Sequence, residues 1–308
     1  MSLSIDGRSQ ARNIAAFVVL ALVWGSTWLV IKDQISAVPP SWTVTWRFVL
    51  AALGMIALAL VRRESLRLDG PGLRLAALVG VLQFAANFQF VYRSELTLTS
   101  GIVAVFFALL LVPNALFARL FFAAPITRRF VAGSAVALSG IALLFIHEYR
   151  AAPASASVLG GIVLATCAVL CASSANVMQA SATARRQPPI PFLAWAMVAG
   201  ALANAAFAWV TSGPPVVDPR PQYLWGIAYL ALVGSVLTFP LYFRLIRDWG
   251  PGPAAYNGVA VPVVAMGLST RFEGYRWSLL AASGAGFAMA GLLVALSGSK
   301  RARRKAGA

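Results

Sequence analysis

The chain has 308 residues, of which 60% fall in the AVILMFWYC set and only 11% are Asp, Glu, Lys or Arg, with a mean hydropathy of +0.79. A soluble domain carries about 25% charged residues, so this composition excludes soluble globular domains, a disordered or collagen-like chain and, with two cysteines, a disulfide scaffold. The formal charge of +16 would suit nucleic acid, but too little polar surface is left for a solvated basic face, and a polytopic membrane protein fits instead.

A bilayer-crossing helix needs about 20 mostly apolar residues. Ten such runs are predicted in chain order, at roughly 14–31, 42–61, 73–92, 98–122, 130–147, 158–180, 192–211, 223–246, 252–271 and 277–297. The first follows basic Arg8 and Arg12 as a signal peptide would. It nevertheless holds Trp24 and Trp28, is long enough to span, and has no clean small-residue cleavage site, so it reads as a retained helix. Charge and proline mark the breaks, as at Arg62-Arg63-Glu64, Pro125 with Arg128-Arg129, Pro153, Arg185-Arg186 with Pro188-Pro189, Pro214 to Pro221, and Pro251 with Pro253. The period-2 alternation of a membrane barrel is missing. The fold expected is all-α, with short loops between antiparallel neighbours.

Lys and Arg concentrate in cytoplasmic loops. With the N-terminus inside, alternate assignment puts 18 Lys+Arg on the inner side, 6 on the outer side, and Arg47 within a helix. Both termini are therefore expected in the cytoplasm. Counting carboxylates as well gives +14 inside against +1 outside, so the net charge is a topology signal. The basic tail Lys300 to Lys305 is expected against anionic lipid.

The sequence also repeats itself. Pro39-Pro40 and Trp46 recur as Pro188-Pro189 and Trp195, and Pro113 and Gly101 recur as Pro262 and Gly250, all at an offset of 149. Gly133 and Gly140 recur as Gly284 and Gly291 at 151, as an insertion near Glu273 would produce. The expected units are a five-helix repeat over 1–150, a second over 151–299, and the tail 300–308. Five is odd, so the second copy must cross with opposite polarity. Inverted repeats of this kind characterise secondary transporters, whose site lies between the two halves.

These features resemble the drug/metabolite transporter superfamily, and within it the EamA-type exporters. The residues that carry the resemblance are Trp24-Gly25-Ser26 with Lys32, Pro39 with Arg47-Phe48, Leu98-Thr99-Ser100 leading to Pro113, and Gly133 with Gly140. Pro262, Glu273, Gly284 and Gly291 fill the matching places in the second half. Members often carry a glutamate after the fourth span, where this chain reads Ala123-Ala124-Pro125. The resemblance is nearest to bacterial aromatic amino acid exporters. It implies export of small metabolites, amino acids first, by alternating access; proton-coupled export of drugs or small amines is the alternative.

Embedded polar residues face the bundle interior in such proteins. Gln83 and Asn87 share a face of the third span, with Tyr92 further out; Asn176 and Gln179 share a face of the sixth. Asn257 precedes Pro262, and Asn114 follows Pro113. Amides suit a zwitterion's ammonium and carboxylate, and equally they pack helices by hydrogen bonding. Trp24 and Trp28 offer either a flat wall for an aromatic ring or core filling. Trp42, Trp209, Trp249 and Trp277 fit an interfacial belt.

Arg47 needs a partner, for which Asp33 is nearest in sequence, either as an ion pair or as part of a gate. Pro113 and Pro262 are expected to kink their helices and serve as hinges. Ala282, Gly286 and Ala290, like Gly133 and Ala137, are expected to let helices approach closely.

Glu95, Glu148 and Glu273 fall at outer span ends and no Asp or Glu lies mid-span. Facilitated movement without tight ion coupling is therefore expected. Cys167 and Cys171 read as packing residues; no metal, cofactor or catalytic residue is expected, because one histidine and no mid-span carboxylate leave little chemistry for an intramembrane enzyme. The partners expected are a small-molecule substrate and the bilayer, with the protein a monomer. A passive channel remains the other class.

Overall fold

A computed structural model describes residues 7–36, 38–151, 155–249 and 254–306, and among them no strand forms. The helices are α1 (Gly7–Gln34), α2 (Pro40–Val61), α3 (Gly70–Ser94), α4 (Ser100–Phe122) and α5 (Arg128–Ala151). Then come α6 (Ser155–Gln179), α7 (Pro189–Ser212), α8 (221–249), α9 (Asn257–Phe272) and α10 (Leu279–Ala306). Among the described residues, nine helices are long and apolar enough to cross a membrane; α9, with 16 residues, fills the ninth predicted place. Gly250, Pro251, Pro253, Pro153 and Asp6 lie outside the described residues, as do the side chains of Arg8, Glu148, Arg247 and the tail from 297 onward.

The helix starts follow from local chemistry. Proline opens α2, α7 and α8, where its missing N–H has no intrahelical partner to lose. Asp69 caps α3 by accepting the Gly72 N–H at 2.6 Å. Its Oδ1 also accepts the Gln187 amide at 2.9 Å, tying the α2–α3 turn to the α6–α7 turn. Gly213 ends α7 at φ 73, a left-handed value that glycine takes without strain.

Two helices loosen near their middles. A π-helical stretch occupies Gly80–Ala86 in α3 and another Tyr229–Leu237 in α8. Their first residues are 149 apart, the offset at which the sequence repeats. In α4 the helix is interrupted at Leu109-Leu110, where Leu109 N–H and Leu110 N–H bond three residues back. Pro113 sits four residues after Leu109, so its ring and missing N–H account for the break. Pro262 lies near the start of α9, just after a turn at 255–256.

Close packing falls to glycine. A Cβ on Gly140 would collide with the Ala288 nitrogen and lie 2.5 Å from the Gly284 carbonyl oxygen. One on Gly133 would collide with the Ala295 nitrogen and lie 2.6 Å from the Gly291 oxygen. Gly133 therefore meets Gly291 while Gly140 meets Gly284, a reciprocal pattern like that of a two-fold interface. The stripe on α10 is Gly284, Ala288 and Gly291. The expected stripe of Ala282, Gly286 and Ala290 points outward instead, and a Cβ on Gly286 would meet nothing within 4 Å. A spacing of four marks a face without saying which face is turned to a neighbour.

The largest buried cluster joins α2, α3 and α7 through Phe48, Met55, Phe84 and Met197. Leu60, Val210, Trp225 and Leu279 stay exposed on the outside, as lipid contact requires. Trp209 and Trp277 are also exposed, but Trp42 corrects the belt reading: it is 3% exposed, stacks on Trp46 and donates to the Gly213 carbonyl at 3.2 Å.

Candidate functional site

α3 carries polar residues on two faces, and they are treated differently. On one face Gln89 donates to the Asn204 Oδ1 at 2.7 Å, and Asn204 Nδ2 donates to the Phe84 carbonyl at 2.8 Å. Both residues are buried, between α3 and α7. Arg93 donates to the Gln89 carbonyl at 3.0 Å and lies over the Phe207 ring. Sequence reading does not single out Gln89 or Asn204, and no motif marks them. Their amides pack helices together.

Two and six residues earlier on α3, on the other face, Asn87 and Gln83 look into a cavity of about 360 Å³. It reaches from Arg47 and Val91 down to Gln179, Asn257 and Leu296, toward the end of the bundle that carries the termini. The cavity brings together Trp24, Trp28, Gln83, Asn87, Asn176, Gln179 and Asn257, with Arg47 and Pro262; Asn114 joins them.

The amides there keep free acceptors. Asn87 Nδ2 donates to the Gln83 carbonyl at 3.2 Å, and Asn257 Nδ2 to the Phe17 carbonyl on α1 at 3.1 Å. The buried side-chain oxygens of Gln83, Asn87, Asn114 and Asn257 have no hydrogen-bond partner among the described residues. A buried acceptor left unpaired is destabilising, so four around one cavity are places for donors, from water or from a ligand.

The other walls are aromatic. Trp24 donates its indole N–H to Thr238 Oγ1 at 3.0 Å, which fixes the ring 5.2 Å from Tyr242 and edge-on to Phe239. Trp28 lies 5.1 Å from Phe107. Phe88, Phe107, Phe239 and Tyr242 line the cavity without being foreseen, since a mid-span Phe or Tyr carries no signal distinct from core packing.

Two expected assignments change. Tyr92 is fully buried behind Arg47 and does not line the cavity; its hydroxyl accepts from Arg47 Nη1 at 3.2 Å. Arg47, 3% exposed, has its guanidinium 4.4 Å above the Phe88 ring, a cation–π contact. Asp33 is therefore not its partner: it is exposed at the end of α1, beside Arg220 and Tyr223. There Arg220 grips Asp218 at 2.6 Å, which holds the Asp218 carboxyl below its usual range and the guanidinium above its own. Pro113 lies off the cavity wall, while Pro262 is on it.

Glu95, expected at an outer span end, sits in the turn after α3 and is 0% exposed. Burial pushes its carboxyl well above the carboxylate range; Lys32 opposes this, Glu273 adds to it, and Arg47 opposes it weakly. Lys32 donates to the carbonyl oxygens of Glu95 and Leu98. Glu273 accepts the Ser100 hydroxyl at 2.6 Å and the Ser100 N–H at 3.3 Å. Gln34, Ser94, Leu98 and Ser100, each at most 1% exposed, complete the seal at this end. Both cysteines are free thiols, and among the described residues no three His, Cys, Asp or Glu side chains gather to hold a metal.

The chain is similar to known proteins. The profile of the EamA-like transporter family matches the chain twice, over residues 12–146 and 159–297. Protein PagO of Salmonella typhimurium is 25% identical over 85% of this chain and 85% of its own. The uncharacterized inner membrane transporter YedA of Escherichia coli strain K12 is 29% identical over 84% of this chain and 82% of its own. The uncharacterized transporter YyaM of Bacillus subtilis is 25% identical over 80% and 81%. One solved crystal structure, 18% identical, superposes with a TM-score of 0.67 over 94% of this chain and 98% of the other, which shows a common fold.

Proposed function

The chain belongs to the EamA-like transporter family, and on that footing we propose that it exports amino acids, aromatic and other neutral ones, across the inner membrane by alternating access. The observation that carries this reading is the cavity's chemistry. Aromatic faces from Trp24, Trp28, Phe107 and Tyr242 suit an apolar ring, unpaired amide oxygens suit an ammonium, and Arg47 suits a carboxylate. A zwitterion with a flat side chain satisfies all three.

Two inverted five-helix repeats, 1–150 and 151–299, would supply the moving halves. The twice-matching profile, the π stretches 149 residues apart and the reciprocal packing of Gly133 with Gly291 and Gly140 with Gly284 support them. The helix break before Pro113 and the turn before Pro262 give each repeat a hinge. Both termini lie in the cytoplasm in this reading, so the cavity faces inward, and the protein acts as a monomer. No Asp or Glu lines the cavity among the described residues. That favours facilitated movement down the substrate's gradient over tight ion coupling.

A second reading, proton-coupled export of cationic drugs or amines, draws on the same free acceptors and aromatic faces. Arg47 on the wall counts against it by charge repulsion. Competition in proteoliposomes separates the two. Unlabelled Trp, Phe and Thr should each reduce labelled tryptophan flux, and a cationic drug should not. Inhibition by the drug alone would reverse the choice.

A further inference from the structure

The sealed end of the bundle is held by groups that are costly to bury as charges. Neither carboxylate oxygen of Glu95 has a hydrogen-bond partner among the described residues, and the side chain is wholly inaccessible. Lys32, from α1, directs its ammonium to the backbone carbonyls of Glu95 and Leu98 and not to the Glu95 carboxylate. Glu273, at the end of α9, caps α4 through Ser100, a service that the α4 N-cap residue Thr99 does not perform with its own side chain. Three separate parts of the chain, α1, the α3–α4 turn and the end of α9, are thus joined here.

Besides Lys32, Arg47 and Tyr92 act on Glu95 from α2 and α3, but neither bonds its carboxylate. Arg47 on α2 is engaged by Tyr92 and Phe88. α6 packs on the same turn through Gly161, whose Cβ would collide with the Thr97 hydroxyl, and Ser155–Gln179 contains no charged residue. Glu273 faces the site with a like charge. An ionised Glu95 would stand unpaired in a closed space, whereas a neutral carboxylic acid fits. Leu98 also packs with Trp28 and Phe107, so this layer lies directly above the aromatic wall of the cavity.

We propose that Lys32, Glu95 and Glu273 form a proton-binding latch on the outer gate, closed while Glu95 holds a proton and released when the opened gate lets water reach the carboxylate. The proposal rests on the alternating-access reading above. Its sign follows from linkage. In the closed state burial lifts the Glu95 carboxyl above its usual range; in a hydrated open state it returns to about 4.3. Closure is therefore favoured in full below about pH 4.3, and the advantage fades as pH rises through the lifted value. Over that window the opening constant grows by up to about tenfold per pH unit. The proton is taken from and returned to the same side, so transport is gated by outer pH without being driven by it.

The test reads the gate and not the flux. Ala104 lines the cavity one turn into α4. Full-length protein carrying Ala104→Cys with Cys167→Ala and Cys171→Ala, in right-side-out vesicles, is labelled from outside with a membrane-impermeant maleimide between about pH 5.5 and 7.5, a range above the ordinary Glu value. The same series in a Glu95→Gln background cancels the thiol's own pH dependence. The labelling rate with Glu95 intact, divided at each pH by the rate in the Glu95→Gln background, should climb at least about fivefold across the range. Glu273→Gln, which removes the like charge and leaves Glu95 in place, should end the climb at lower pH. A flat ratio, or a climb unmoved by Glu273→Gln, would overturn the latch. A thiol that labels in inverted vesicles and never from outside would overturn alternating access, and the latch with it.

Discussion

The two faces of α3 use the same residue types for opposite ends. At Gln89 and Asn204 every amide is committed to another helix, while two and six residues away on α3, at Asn87 and Gln83, the side-chain oxygens are left open toward a cavity. The difference is geometric. One face is squeezed between α3 and α7, where Gly200 would place a Cβ 2.6 Å from Phe84. The other faces α1, α4 and α6 across open space. Amides clamp where backbones touch and become a site where backbones part.

The sharpest way to break the comparison is to attack the tight packing itself. Gly140→Leu drives a side chain into the backbone of Ala288 and Gly284, and folded, monodisperse protein should be lost altogether. Next, Asn204→Leu strands the Gln89 amide and the Phe84 carbonyl. It should cost about 1–2 kcal/mol, seen as a lower thermal midpoint, with flux per folded molecule retained. Asn87→Ala is the mirror case. Flux should fall about tenfold, equivalent to about 1.4 kcal/mol, while the thermal midpoint stays put. Trp24→Ala should cut flux less and likewise leave folded protein, since it removes one wall of several. Smallest of all, Asp218→Asn breaks an exposed clamp with Arg220 and should alter neither flux nor stability at neutral pH; because that carboxyl is held low, any loss of the clamp in the wild type appears only as pH falls below the ordinary carboxylate range.

How much of this was legible in the sequence depends on the kind of signal. Nine predicted spans emerged as long apolar helices among the described residues, because length and hydropathy act over some twenty residues and leave little choice in a bilayer. The 149-residue offset was equally plain, and the two π stretches fall on it. Pairwise geometry was not legible. Asp33 and Arg47 are close in sequence, but α1 ends pointing outward while Arg47 turns in toward Phe88 and Tyr92. Glu95 reads as an outer-end residue and is one, but its complete burial beside Lys32 and Glu273, which come from distant helices, has no mark in the spacing. The unpaired amide oxygens likewise follow from which backbone carbonyl each Nδ2 finds, something spacing does not encode.

The central claim is that this cavity carries an amino acid between the two faces without needing an ion gradient. Counterflow in proteoliposomes tests it most directly, with tryptophan loaded inside, labelled tryptophan outside, and proton and sodium gradients both abolished. The account predicts a saturable, transient overshoot of labelled tryptophan that Asn87→Ala suppresses and Asn204→Leu retains per folded molecule. No overshoot until a proton or sodium gradient is restored would contradict it.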